Sequence, residues 1–309
     1  MTSFVNKFKI PTLLGLAVII LGIAVGVFLV LREQSFLSLA SPSLTPQNIT
    51  LSNIDESSIT ISWQTSTSTT SFITFGQNSF DDTTTLDDRD TNTPKPHLTH
   101  YVTLKNLQPK TTYQFKIISG KFSSDTIKFE TAALPSTQNG FRPVIGSILD
   151  GDKPLDDGVV YLSIPQTIPQ SALVKNLGNF LIPISLIRKS DLSDVYQLTE
   201  DNMAKLTVIS DKGQASALFK LSSAGQLLPP IKLGQNVDLT NPEVSPSPTP
   251  TAQELNKYDL NGDRFINAND HAIILQNFGK SPKNRKADLN SDGVVDQKDL
   301  DLIQKFINQ

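Results

Sequence analysis

The sequence contains no cysteine. That excludes disulfides, thiolate metal sites and cysteine nucleophiles together. Small exported modules of eukaryotes are commonly stapled by disulfides, so cysteine-free modules point to a prokaryotic host. Histidine occurs three times, at His97, His100 and His271, too few for a phosphatase-type metal centre built on several His and Asp ligands. Positive charge is not in excess: 27 Lys and Arg face 30 Asp and Glu, and the net charge of −3 offers no basic field for nucleic acid. Aromatic residues make up only 7% of the 309 residues, while Ser and Thr are abundant, which suits exposed β-modules. Nucleophile elbow, zinc-protease helix, phosphate loop and dinucleotide fingerprint are all missing. The length leaves room for two or three small domains.

What is present is concentrated at the C-terminus. Asp259-Leu-Asn261-Gly-Asp263-Arg-Phe265-Ile-Asn267-Ala-Asn-Asp270 returns 29 positions later as Asp288-Leu-Asn290-Ser-Asp292-Gly293-Val294-Val-Asp296-Gln-Lys-Asp299. Both segments place oxygen-bearing side chains at loop positions 1, 3, 5, 9 and 12. Ca²⁺ is a hard cation that takes six to eight oxygens, and this spacing wraps them around one ion. The backbone carbonyls of Phe265 and Val294 would supply position 7. Position 8 is apolar in both (Ile266, Val295), which suits a short strand-like contact between the two loops. An apolar helical pattern follows each: Ile273, Ile274 and Phe278 within His271–Phe278, and Leu302, Ile303 and Ile307 within Leu300–Ile307. Only Gln253–Tyr258 and Pro282–Ala287 remain for entering helices, too little for a full EF-hand.

This duplicated half-EF-hand resembles a type I dockerin over about Asn256–Asn308. The resemblance implies two calcium ions needed for folding, two loop-helix units related by pseudo-twofold symmetry, and a cohesin-like protein partner. It also implies partner contacts at positions 10 and 11, here Ala268-Asn269 and Gln297-Lys298. Because those pairs differ, the two faces are not equivalent. Arg264 departs from the Gly usual at position 6, where a positive φ strains a side chain.

At the other end, Pro11–Leu31 is an uncharged apolar run of 21 residues. At 1.5 Å per residue it spans roughly 30 Å, the thickness of a hydrocarbon core. Lys7 and Lys9 precede it, and the near-neutral pair Arg32-Glu33 follows. The positive-inside rule then puts residues 1–10 in the cytoplasm, 11–31 in the membrane and the remainder outside the cell. Gly22 and Gly26 give a possible helix-packing face in the run. A cleaved signal peptide is the rival reading, with small residues at Ser38 and Ala40 before a cut, but the run is longer than an ordinary signal core. Both readings export the modules.

Between anchor and dockerin the pattern is β. After a stalk over 32–44, residues 45–133 alternate as half-buried strands, with Ile59, Ile61 and Trp63 inward and Thr60 and Ser62 on a solvated face. Tyr113, Phe115 and Ile117 repeat this, behind Leu107-Gln-Pro109-Lys-Thr111-Thr-Tyr113. That segment resembles the tyrosine corner of a fibronectin type III domain. The same stretch resembles the module ahead of purple acid phosphatase catalytic domains, although no such catalytic domain follows. Residues 141–239 read as a second sandwich. Strands are expected at Val144–Ile148, Gly158–Leu162 and Asn179–Ile184, and a hairpin joins Leu206–Ser210 to Ala215–Leu221 through Asp211-Lys-Gly213. It is similar to the transthyretin-type carboxypeptidase regulatory-like domain. A Pro/Ser/Thr linker over 240–252 separates it from the dockerin at 253–309.

Other polar clusters have plain readings. Asp81-Asp82 and Asp87-Asp88-Arg89-Asp90 fit a solvated loop, because the spacing is irregular for a cation. His97 and His100 fit an ordinary loop pair, Asp150-Gly-Asp152 a turn, and His271 a helix residue facing solvent or a partner. The expectation is a mainly β protein with one transmembrane helix, two β-sandwich domains and a small α-helical dockerin. Its work is binding, not catalysis: a surface adaptor that holds a cohesin-like partner, with a polysaccharide as a further candidate ligand. The alternatives are a structural or adhesive protein whose dockerin is a calcium-stabilised cap, and an accessory subunit of a carbohydrate-active or other hydrolase.

Overall fold

The first sandwich turns on one long strand. In the computed structural model, which describes residues 44–77, 83–137, 143–175, 177–222, 226–240, 257–262, 266–280 and 282–307, β1 (Gln47–Ser52) pairs with β2 (Ile59–Gly76). The first half of β2 also pairs with β4 (Pro96–Leu104). Its second half pairs with β3 (Thr83–Leu86) and β5 (Thr112–Ser119). The register slips between Gln64 and Thr69, where β2 leaves one sheet for the other. A strand that bends between sheets makes the corner of a sandwich. The short strands β6 (Phe122–Ser123) and β7 (Ile127–Glu130) complete the second sheet beside β5.

The expected alternation holds on the inner face: Ile59, Ile61, Trp63, Ile73, Phe75, Tyr113, Phe115, Ile117 and Phe129 form one cluster. Trp63 is 1% exposed and stacks on the His100 ring at 4.9 Å. The Tyr113 hydroxyl accepts a hydrogen bond from the Gln108 amide at 2.9 Å, so the corner closes as its sequence indicated.

The second sandwich opens with β8 (Pro143–Asp150) and β9 (Lys153–Pro154), joined by a turn at Gly151. One sheet places β12 (Asn179–Pro183), β15 (Gln226–Leu227) and β16 (Ile231–Lys232) against β8. The other runs β11-β10-β13-β14-β17, from β10 (Val159–Ser163), β11 (Gln170–Leu173), β13 (Met203–Ser210), β14 (Gly213–Lys220) and β17 (Asn236–Asp238). Val144, Ile148, Val160, Leu162, Phe180, Ile182, Leu206, Val208 and Phe219 fill the space between. Gly178 is required where it stands. Its φ is +87°, and a Cβ there would lie 2.6 Å from the Ile148 carbonyl oxygen.

The outer face of β2 and β4 is not solvated, contrary to the pattern reading. Thr60 and Ser62 are buried, because the second sandwich covers that face. Ser62 and Tyr161 hydroxyls meet at 2.7 Å, and Tyr101, Val159, Tyr161 and Leu173 form an apolar patch around them. Asn53 is the hub: its Nδ2 donates to the Tyr101 hydroxyl and the Ser171 carbonyl, and its Oδ1 accepts from the Ser171 amide at 2.8 Å. Burial pushes the Tyr101 hydroxyl up to about 12.

The acidic segment 87–90 is likewise an ordered network, not a solvated loop. Asp87 is 2% exposed and accepts from the Tyr101 amide and from Arg89 Nε at 2.8 Å each. Burial alone would raise its carboxyl, but the Arg89 guanidinium and the Tyr101 and Arg89 amides hold it below the ordinary value. Arg89 Nη1 then reaches across to both oxygens of Asp157 in the second sandwich, at 2.7 and 2.6 Å. Buried Arg188 of the second sandwich reaches Glu56 of the first through Nη2, bonding one carboxylate oxygen. His97 and His100 sit on β4, not in a loop. His97 Nε2 lies 3.1 Å from Asp90, and His100 is enclosed beside Trp63. Asp87, His97 and His100 are enclosed by their own sandwich, and Arg89 ties the cluster to the neighbouring module through Asp157.

Among the described residues no helix is long and apolar enough to cross a membrane. The apolar run 11–31, the stalk to residue 43 and the linker over 241–252 lie outside the described residues, as do Asp81 and Asp82.

Candidate metal centre and docking face

Helix α1 (Ala268–Gln276) and helix α2 (Gln297–Ile307) each start inside the repeated segments, three residues earlier than their apolar pattern suggested. The reason is capping. Asn267 and Asp296, at position 9, accept from the amides two residues on, at 2.7 and 2.8 Å. Asp270 and Asp299, at position 12, reach back to the amides of Asn267 and Asp296 at 2.9 and 2.8 Å. That is the reciprocal capping box, which satisfies orphan donors at a helix start. The other oxygen of each position-12 carboxylate accepts two more amides: Leu260 and Asn261 on Asp270, Leu289 and Asn290 on Asp299. The two loops are thus built on one plan.

The second loop is described throughout. Asp288 accepts from the amides of Asp292 and Gly293, and Asn290 from that of Asp292. Asn290 Nδ2 donates to Asp292 Oδ2 at 3.0 Å, so positions 3 and 5 are drawn together on the exposed side of the loop. The Val294 amide and the Asn290 side chain hold the Asp292 carboxyl below its ordinary value. Gly293 at position 6 has φ +88°, the left-handed turn that Gly permits. In the first loop Asp259 accepts from Gly262 at 2.7 Å, while Asp263, Arg264 and Phe265 lie outside the described residues.

The donor set fits a hard cation. Asp288, Asn290 and Asp292 with the Val294 carbonyl would hold Ca²⁺, and Asp296 and Asp299 close the loop behind them. Among the described residues no three His, Cys, Asp or Glu side chains stand close enough to hold a metal by themselves. The Asn290 amide oxygen and the Val294 carbonyl would add neutral oxygens to the carboxylates. Asp299 already accepts three amide hydrogens, and a carboxylate has about four lone-pair sites, so it retains roughly one.

Two expectations are corrected here. Val294–Val295 (β19) pairs with Gly279–Lys280 (β18), behind the first helix, and not with Ile266 of the first loop. His271 is 2% exposed, with neither ring nitrogen bonded, so it does not face solvent. Burial lowers it to about 4. It falls on the inner side of α1, one turn from Ala268 and Leu275. The Phe278 expected inside the helix lies beyond its Asn277 cap yet still packs on the core.

Of the residues considered for partner contact, Ala268 is 4% exposed and belongs to the core. Asn269 and Gln297 are half-buried, and the Lys298 side chain is 71% exposed. The core they border does not end with the loops. Ala272, Ile274, Leu275, Leu289, Val295, Leu300 and Ile303 share one cluster with Ile145 of β8, and Leu181 of β12 and Leu227 of β15 pack against it. Asn179 Nδ2 donates to Gln297 Oε1 at 3.3 Å across the same junction. A cleft of about 560 Å³ opens where Asn53 and Tyr101 of the first sandwich, Asn179 and Leu186 of the second, and Leu275 and Gln276 of α1 meet. Pattern reading missed this junction. The available signal was Val144-Ile145, apolar on consecutive residues of one strand, which marks burial on both faces.

Comparison with known families agrees with the two motif-rich ends of the described chain. Residues 257–308 match the dockerin type I domain, and residues 46–131 match the purple acid phosphatase N-terminal domain. The chain therefore carries a dockerin, a class of domain that binds calcium, and a phosphatase-type N-terminal sandwich; neither matched module is a catalytic domain. A comparison with curated proteins finds no match. Among solved structures, the sensor domain of the anti-sigma factor RsgI4 of Pseudobacteroides cellulosolvens is similar at 24% identity, over 30% of this chain and 100% of that one, with TM-score 0.23. Purple acid phosphatase PPD1 of yellow lupin is similar at 17% identity, over 34% of this chain and 22% of that one, with TM-score 0.25. A two-domain fibronectin type III segment of chicken tenascin is similar at 13% identity, over 57% and 98%, with TM-score 0.21.

Proposed function

We propose that this chain is a membrane-anchored adaptor outside the cell, whose dockerin holds a cohesin-like protein domain in a calcium-dependent manner. The observation that carries the reading is the dockerin match over residues 257–308, with the two repeated loops inside it. Two ions, one per loop, complete the domain, with ligands from Asp259, Asn261, Asp263, Phe265, Asn267 and Asp270, and from their counterparts Asp288 to Asp299. The apolar run Pro11–Leu31, behind Lys7 and Lys9, supports an N-terminus inside and modules outside. The second sandwich takes the place of a carboxypeptidase regulatory-like spacer between the first module and the dockerin.

Calorimetric titration of the full chain with a purified cohesin-type domain tests this. Binding in millimolar Ca²⁺ that disappears in chelator is expected. No binding in calcium, or binding indifferent to it, overturns the reading. Protease added to intact cells should digest the chain beyond residue 41, and protection of the dockerin in unbroken cells overturns the topology.

A further inference from the structure

The outer face of the β12-β8-β15 sheet is apolar where a solvated sandwich face would be polar. Phe180 and Ile182 of β12 point into the sandwich, so Leu181 points out. On β8, Val144 and Ile148 point in and Ile145 points out, fully buried. Leu227 extends the strip onto β15. What buries the strip is this chain's own dockerin. Its helix α1 lies against β8, and its core is continuous with Ile145.

The contact is made by the folded dockerin only. Leu260, Leu289 and Val295 reach the cluster from within the calcium loops, and Ala272, Ile274 and Leu275 reach it from the helix that Asn267 and Asp270 cap. Loops that gather carboxylates are held together by the ion they bind, and binding free energy is then folding free energy. Without the ion, the surface that covers the sheet is not assembled. A polar bond that crosses the contact, from Asn179 to Gln297, is 3.3 Å long. On the dockerin side, Asn269 Oδ1 and both His271 nitrogens are buried without partners. The docked arrangement is held chiefly by the apolar contact of Ile145, Leu181 and Leu227 with the dockerin core.

We propose that this sheet face is a docking surface for the chain's own dockerin, and that calcium, by folding the dockerin, decides whether the face is covered. The inference rests on the calcium-binding reading above. It adds that the dockerin's half-buried recognition edge at Asn269 and Gln297 is shared between the sandwich and any outside partner. It also makes α1 one wall of the cleft at the three-module junction, so that undocking opens the cleft.

Amide hydrogen exchange on the full chain, with Ca²⁺ alone as the probe, tests this. In wild type, chelation should speed exchange in β8 and β12 as well as in α1 and α2, by about tenfold, the factor that 1.4 kcal/mol of lost docking produces. In Leu181→Lys the helices should still respond to calcium while β8 and β12 no longer do. Leu218→Lys, on the exposed face of the other sheet, should behave as wild type. Should Leu181→Lys fail to fold, Gln297→Ala on the dockerin side replaces it, with a smaller loss of coupling expected. Strands indifferent to calcium in wild type, beside helices that respond, overturn the docking surface and leave the partner-binding reading standing. Helices that ignore calcium overturn both.

Discussion

The second sandwich meets a neighbour on each of its two sheets, and the two junctions differ in how much polar bonding accompanies their apolar contact. Towards the first sandwich it presents Val159, Tyr161 and Leu173 ringed by hydroxyls, amides and charge: Tyr161 on Ser62, Ser171 on Asn53, Asp157 on Arg89 and Arg188 on Glu56. Towards the dockerin it presents Ile145, Leu181 and Leu227, with a long hydrogen bond from Asn179 to Gln297. Directional bonds favour a single register, and a buried charge left unpaired is costly, so separation of the two sandwiches is opposed by more than lost apolar contact. Apolar contact is non-directional and is regained wherever an apolar surface is offered. The contrast sets a directionally bonded pair of sandwiches beside the dockerin that we propose detaches when calcium is removed.

The sharpest way to break this contrast is through the first core. Trp63→Ala should cost about 3–5 kcal/mol, the usual loss for a large buried aromatic. If the polar junction is rigid, both sandwiches lose that stability in one calorimetric transition. Two transitions, of which only one moves, would show that the sandwiches unfold separately. Glu56→Ala comes next. It leaves Arg188, fully buried, without its counter-charge, at a cost of about 3 kcal/mol in denaturant titration. An effect below about 0.5 kcal/mol, the range of ordinary surface substitutions, would mean that the charge clamp contributes nothing.

Acid should weaken the sandwich pair through His100. Burial lowers its imidazole to about 4, so the folded form resists a proton that the unfolded chain accepts near the ordinary value of 6.5. Stability is therefore full above pH 6.5 and falls as pH drops through the window down to about 4, by up to about 1.4 kcal/mol per unit. Urea midpoints at pH 7, 6 and 5 should fall in that order, and His100→Gln should flatten the series. A flat wild-type series would show that His100 is hydrated.

The proposed effect of calcium falls on the other junction. At a hundredfold excess over its dissociation constant an ion adds about 2.7 kcal/mol per site, enough to decide a small domain. Chelation should remove the circular dichroism of α1 and α2 and leave the sandwich signal. The second loop carries four carboxylates against three in the first, and has Gly293 where the first has Arg264. Asp288→Ala should then damage folding more than Asp259→Ala, and equal damage would refute the ranking. The smallest expected effect is that of Gln297→Ala, about 0.5 kcal/mol or less, because a hydrogen bond this long contributes little. A larger loss would move the dockerin junction towards the polar kind.

Legibility followed the range of the interactions. The tyrosine corner spans five residues, from Gln108 to Tyr113, and was read correctly from Leu107–Tyr113. The helix starts were read three residues late, because Asn267 and Asp296 were weighed as ion ligands and not also as caps. Asp87, His100, Thr60 and Ser62 were read as solvated or loop residues and are buried. Ser62 meets Tyr161, about a hundred residues away in the next module, while Asp87, His100 and Thr60 are held by groups of their own sandwich that lie 7 to 43 residues away.

The sequence by itself determined the modules. Period-two alternation fixed which side of β2 and β5 forms a core, and the repeated Asp/Asn spacing fixed two oxygen-lined loops and the helices they cap. These depend on groups a few residues apart, whose geometry the local backbone dictates. Only the tertiary structure decided what the outer faces do. Thr60 and Ser62 became interface because Tyr161 lies opposite, and the acidic segment became a clamp because Asp157 stands within reach of Arg89. Ile145 and Leu181 became a dock because the dockerin folds back onto them. A strand's pattern records that a face is apolar or polar; which surface meets it is set by where the chain, hundreds of ångströms long when extended, brings another module to rest.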